Sequence, residues 1–138
     1  MQPKKPLEEI IELVRQKQEK AYALRNSQAI AEIEELAIEL ASINFSLSYY
    51  SVFYENQYNM QEQGYKHECA LTFMEEKQAK RTDGWAKSVA ETKHAELKAE
   101  YLINHKMYQF ARAYHGDIKT LIDTLRGRAS TLKKEREA

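Results

Sequence analysis

The run IEELAIELASINFSL (Ile33–Leu47) decides how the chain folds. Ile33, Leu40 and Leu47 fall seven residues apart and continue to Tyr54, while Leu36, Ile43 and Tyr50 interleave with them. An apolar repeat of alternating threes and fours belongs to a helix that buries one stripe against another helix. Ala29, Ile30, Ile38, Phe45, Val52 and Phe53 widen this stripe beyond a two-stranded seam, so several neighbours are expected to cover it. No lysine or arginine lies between Asn26 and Tyr65, which marks the segment as a packing element and not a polyanion binder.

Upstream, Pro6 suits a first helical position, where its missing N–H would be unpaired in any case. Ile10, Ile11, Leu13, Val14 and Ala21 then predict a helix over 7–25, and Asn26 and Ser27 break and recap the chain. The long second helix is expected over 28–63. Gly64 is expected to end it, with a shorter helix over 65–80. The run Arg81–Gly84 reads as a turn, with Thr82 or Asp83 capping the next helix. The last helix is expected over 85–134. Its seam is Ala90, Leu97, Asn104, Ala111, Ile118, Leu125 and Leu132 at sevenfold spacing, joined by Tyr101, Tyr108, Ile122 and Ala129. Asn104 is placed to fix register by pairing with another polar group.

Four glycines and two prolines, both before Leu7, leave few helix breakers. The expected fold is therefore all-α: long helices with coiled-coil-like seams in a single domain over 1–138, the bundle being completed by oligomerisation. A helix of ~50 residues would run ~75 Å, beyond the ~25–30 Å of a compact domain of this size. That overhang assigns Leu97, Tyr101, Tyr108, Ile118, Ile122, Leu125 and Leu132 to an interface between chains.

Lysine plus arginine and aspartate plus glutamate each total 21, giving zero formal net charge. The balance hides an asymmetry: Met1–Glu76 holds 7 basic and 13 acidic residues, and Lys77–Ala138 holds 14 basic and 8 acidic. Opposite-signed halves point to self-association, to an anionic partner for the basic half, or to both. Lys98, His105, Arg112, Lys119, Arg126 and Lys133 repeat every seven residues along one edge of the last helix, with Arg128 close by. Lys77, Lys80 and Arg81 cluster beside the expected turn. A phosphate backbone is bound by such arrays because each neutralised phosphate releases counterions. The same column beside an apolar seam is also the ordinary form of a solvated helix flank. Tyrosines interleaved with bases, such as Tyr108 and Tyr114, suit stacking on unpaired nucleobases but more often bury the ring and leave the hydroxyl wet.

Signals for chemistry are sparse, and no enzymatic role, metal or cofactor is expected. Glu91–His94 has the Glu-x-x-His spacing of di-metal bundles, which need two such motifs and two further carboxylates. His67 and Cys69 lack a partner pair with zinc-site spacing, and His115 reads as a surface histidine. Phosphate loops, nucleophile elbows and helical His-x-x-x-His motifs do not occur. The single cysteine and the lack of an apolar run of ~18–20 residues lead to the expectation of a cytoplasmic protein with no membrane contact.

The stretch KSVAETKHAELK (Lys87–Lys98), the basic residues Lys77–Arg81 before it, and Ile118-Lys119 with Leu125–Arg128 near the end together resemble the UvsY-like recombination mediators of phages. The resemblance covers the chain from Lys77 onward and carries no diagnostic motif. It implies a small helical protein that helps load a recombinase onto single-stranded DNA covered by a single-strand-binding protein, and that forms ring-like oligomers through its C-terminal helix. By position, the family's strand-contacting region falls on Lys77, Lys80 and Arg81, with Lys87 near. The long, tyrosine-rich, base-free second helix departs from the family. The expected function is thus a single-stranded-DNA-binding accessory factor of phage-type recombination, contacting DNA through Lys77, Lys80, Arg81, Lys87, Lys98, Arg112, Lys119, Arg126 and Arg128. The expected partners are single-stranded DNA, the recombinase and single-strand-binding protein of the resemblance, and further copies of the chain. The alternative is a helical protein–protein adaptor, such as a phage inhibitor of a host enzyme, with a structural coiled-coil role ranking third.

Overall fold

The computed structural model describes residues 6–138. They form four α-helices, α1 (Leu7–Ala23), α2 (Ile30–Gln78), α3 (Asp83–Lys93) and α4 (Ala95–Glu137), with no strand among the described residues. The all-α expectation holds. None of these helices is long and apolar enough to cross a membrane. The chain divides into two compact units. The first joins the segment ending at Ser51 to Phe110–Ala138, and the second is Val52–Gln109. Each unit has its own short helix, α1 in the first and α3 in the second, beside its portions of α2 and α4.

In the first unit Pro6 stands just outside α1, not at its first position, and its carbonyl accepts from the N–H groups of Glu9 and Ile10 at 3.1 and 3.4 Å. Leu7, Ile10 and Val14 bury one side of α1. They meet the stripe read from Ile33–Leu47: Ile33, Leu36, Leu40 and Leu47 are fully enclosed, as is Ile118 of α4. Small Ala37, Ala111 and Ala129 are also buried, which lets the helix backbones approach while the larger residues interdigitate. Asn44 is buried beside them, and its carbonyl meets His115 Nδ1 at 3.3 Å. His115 is thus half-buried and engaged, not a surface residue.

This packing corrects the expected interface between chains. Ile118, Ile122 and Leu125 are core residues of the first unit, buried by the chain's own helices. Within one chain α2 and α4 supply each other's missing neighbour, and α1 adds a third, so these seam residues need no second chain.

In the second unit the fully buried side chains are small: Thr72, Ala86 and Ala90. Rings fill the remainder, with Tyr58 4.5 Å from His105 between centroids and Tyr101 5.8 and 5.5 Å from Tyr58 and Tyr65. Asn104 Nδ2 donates to Gln61 Oε1 at 2.6 Å, so the seam asparagine finds its polar partner inside the chain.

Two boundaries differ from those expected. Gly64 does not end the second helix, and α2 runs unbroken from Ile30 to Gln78. A helical glycine costs only about 1 kcal/mol against alanine, and the Gln61–Asn104 and Tyr65–Tyr101 contacts grip α2 on both sides of it. The last helix is instead two helices, parted at His94 (φ −109°, ψ 22°). The His94 ring is held 2.8 Å from Thr72 Oγ1 of α2, a tertiary contact that no local sequence signal announces. Gly116 and Gly127 lie within the continuous α4.

Leu40→Ala and Ile118→Ala each remove a fully enclosed side chain and are expected to lower stability by ~2–5 kcal/mol in chemical denaturation. Lys119→Ala, on the exposed side of the same helix, is expected to stay within ~0.5 kcal/mol of the parent.

Candidate nucleic-acid interface

The basic turn between α2 and α3 is built from two helix-terminal motifs. At the end of α2, the Arg81 N–H donates to Glu76 O at 3.1 Å and the Lys80 N–H to Lys77 O at 3.0 Å. This pair of bonds is a Schellman closure, which needs a left-handed residue at its C′ position. Lys80 occupies that position with φ 63°, where glycine is usual. The expected turn at 81–84 therefore lies slightly earlier, and Thr82 caps α3 as anticipated, its hydroxyl accepting from the Trp85 N–H at 3.2 Å.

The two motifs fix the side chains around them. Lys77 pairs with Asp83 across the turn at 2.6 Å, which engages one of the expected phosphate contacts. The Arg81 guanidinium lies 5.6 Å from the centre of the Trp85 ring, in cation–π range. Trp85, the sole tryptophan of the sequence, is 54% exposed. Large aromatic rings usually bury more than this, and an exposed one under a guanidinium presents a flat, positively edged platform to solvent. Trp85 was not among the residues expected to touch DNA, although a lone tryptophan in the turn after Lys80-Arg81 is a signal in plain view.

Lys87 lies two residues beyond Trp85, on a separate groove of about 310 Å³ with Tyr65, Cys69, Phe73 and Glu91. Burial pushes the Tyr65 hydroxyl up from about 10 to about 12, helped by its hydrogen bond with Cys69. Glu91 sits at this groove and His94 at the Thr72 contact, so the Glu-x-x-His spacing serves packing.

The other expected contacts fare unequally. Lys98 is exposed in the first turn of α4. Lys119 and Arg126 are exposed on the α4 of the first unit. Among the described residues Lys80, Arg81, Lys87, Lys98, Lys119 and Arg126 form no ion pair with a carboxylate. Arg112 is exposed but engaged. Arg128 is a correction: it is half-buried and donates to the carbonyls of Leu24 (3.1 Å) and Ser27. These belong to the segment that leaves α1, so this guanidinium is a packing element. Of the residues first assigned between chains, Leu97 is exposed, Leu132 is half-buried, and Tyr101 and Tyr108 are ring contacts of the second unit.

Comparison with known proteins finds no matching family model, curated protein or solved structure.

Lys80→Gly relieves a left-handed conformation and is expected to raise stability by about 1 kcal/mol in urea denaturation. Because the raised Tyr65 ionisation favours its neutral form in the fold, the associated stability is complete below pH 10 and is lost as pH climbs to about 12. Alkaline denaturation of Tyr65→Phe is expected to lack that component.

Proposed function

We propose that the chain binds single-stranded nucleic acid through the α2–α3 turn, with Trp85 as a stacking platform for an unpaired base and Lys80 and Arg81 as phosphate contacts. The observation that carries this reading is the exposed Trp85 ring beneath Arg81, next to a lysine held in a conformation that favours glycine. Strain retained at an exposed basic turn is the kind of local cost that accompanies a working side chain. A glycine at position 80 would close the helix better and would bring no charge. Stacking requires an unpaired base, and backbone contacts carry no sequence information, so the mode is single-stranded and sequence-tolerant.

The resemblance of the segment from Lys77 onward to phage recombination mediators extends the reading. In that role the protein assists recombinase loading on a strand covered by single-strand-binding protein. Contacts this few are individually weak, and several copies along one strand would add their effect through raised effective concentration.

A second reading is favoured by different residues. Met60, Leu71 and Met74 are exposed on the α2 of the second unit, and apolar side chains at helical spacing suit a protein partner in a helix-adaptor role.

Because Trp85 is the only tryptophan, its fluorescence reports on the site itself. Titration with oligo(dT) is expected to quench it, and raising salt from ~50 to ~200 mM to weaken binding roughly sevenfold for about two neutralised phosphates. Trp85→Ala, followed by anisotropy of a labelled strand, is expected to cost ~1–3 kcal/mol of binding. Lys80→Gly should weaken binding even as it stabilises the fold. Unchanged fluorescence at the lower salt, with no anisotropy change, would reject strand binding and leave the adaptor reading in front.

A further inference from the structure

The first unit keeps one flank of its α2–α4 pair uncovered, and that flank is complementary to itself. On the other flank α1 is engaged, through Lys17 with Glu39 of α2 at 2.5 Å and through Leu24 O with Arg128 of α4. On the open flank, Ile38 and Phe45 of α2 stand seven residues apart, one above the other, and are 68% and 80% exposed. Beside them, α4 presents Arg126 and Lys119 with the same spacing, without carboxylate partners among the described residues. Between the two helices runs an open groove of about 350 Å³. Ala37, Ala129 and Ser130 form its small-residue floor, and Ile38 and Arg126 stand at its walls. Lys133 closes it by pairing with Glu34.

We infer that this flank pairs with the same flank of a second copy of the chain. A twofold interface must carry its own complement, because one patch meets itself. The α2 edge is apolar and acidic, with exposed Glu35 beside Glu34 and no lysine or arginine from Ser27 to Gly64. The α4 edge is basic. A twofold axis parallel to the helices lays the α2 of one copy over the α4 of the other at the register the chain already uses internally. Glu34 shares a pair with Lys133 and Ile38 shares a groove with Arg126. Seven residues further along each antiparallel helix, Phe45 comes level with Lys119. Ile38 and Phe45 of each copy then cover the aliphatic stems of Arg126 and Lys119 while the charged ends lie toward exposed Glu35, Glu34 staying with Lys133 of its own chain. The result is an antiparallel four-helix contact.

The available area suits a dimer. The α2 portion of this unit, about 22 residues at 1.5 Å rise, gives a flank on the order of 30 Å long. Two helices spaced 8–10 Å apart make it roughly 20 Å wide. That plan area, on the order of 600 Å² before side-chain relief, approaches the ~800 Å² per partner of a standard interface.

The residues are distinct from the α2–α3 turn, so this inference and the strand-binding reading stand or fall separately. Sedimentation equilibrium of the full chain at high micromolar concentration is expected to give about twice 16.2 kDa. Ile38→Asp with Phe45→Asp is expected to weaken association on the order of a hundredfold or more, since each change acts twice across a twofold axis. Lys119→Glu with Arg126→Glu alters surface charge alone. It is expected to produce monomers with unchanged helicity by circular dichroism, and to recover association when mixed with Glu35→Lys. A monomeric parent overturns the inference, as does a dimer indifferent to both double variants. If the parent is monomeric and Lys119→Glu, Arg126→Glu instead lowers oligo(dT) affinity, the flank is a strand contact and the dimer is likewise overturned.

Discussion

The antiparallel contact of α2 with α4 in the first unit is the constraint on which the other features rest. Its seam joins Ile33, Leu36, Leu40 and Leu47 to Ile118, Ile122 and Leu125, with alanines at the close approaches. Burying such a side chain is worth ~1.5–3 kcal/mol, so no other feature of the unit competes with it. Once this seam is fixed, the faces of both helices are fixed too. One flank takes α1, and the other keeps Ile38, Phe45, Lys119 and Arg126 in solvent.

Basic residues of the C-terminal half meet different fates for reasons of position. Arg128 and Arg136 lie where the chain leaves α1, and they take up the carbonyls of Leu24, Ser27 and Gln28, the kind of group a helix end leaves over. Lys133 is engaged by Glu34. Lys119 and Arg126, on the same helix, form no ion pair with a carboxylate among the described residues. At the α2–α3 turn Lys77 is held by Asp83, while Lys80 has no carboxylate partner among the described residues and Arg81 lies over the Trp85 ring. An equal charge thus serves as glue in one place and as available surface in another.

The second unit is held by a different kind of contact. Its small buried residues allow α3 to lie close to α2, and hydrogen bonds and tilted ring contacts supply the order that a thick aliphatic core would give elsewhere. Few enclosed apolar side chains and several exposed ones, Met60 and Met74 among them, describe a region whose local opening costs less than global unfolding.

The sevenfold columns of Ile33–Leu47 and Ala111–Ala129 were enough to determine an all-helical chain and the centre of its buried stripe, but not the wider stripe, since Ile38, Phe45 and Val52 lie exposed. Thr82 beside Asp83 offered the cap and Lys77–Arg81 the basic character of the turn, because these are properties of spacing and of neighbours one helical turn apart. The partner of each stripe was not legible: Ile118, Ile122 and Leu125 carry the same pattern whether they meet another chain or their own α2. Nor was the break at His94, which depends on Thr72 in a different helix, nor the continuity through Gly64, which depends on contacts either side of it. The left-handed Lys80 and the engagement of Arg128 likewise depend on backbone geometry and on carbonyls distant in sequence. Local pattern determines which surface of a helix avoids water; only the packed chain decides what covers that surface and which charges are left over.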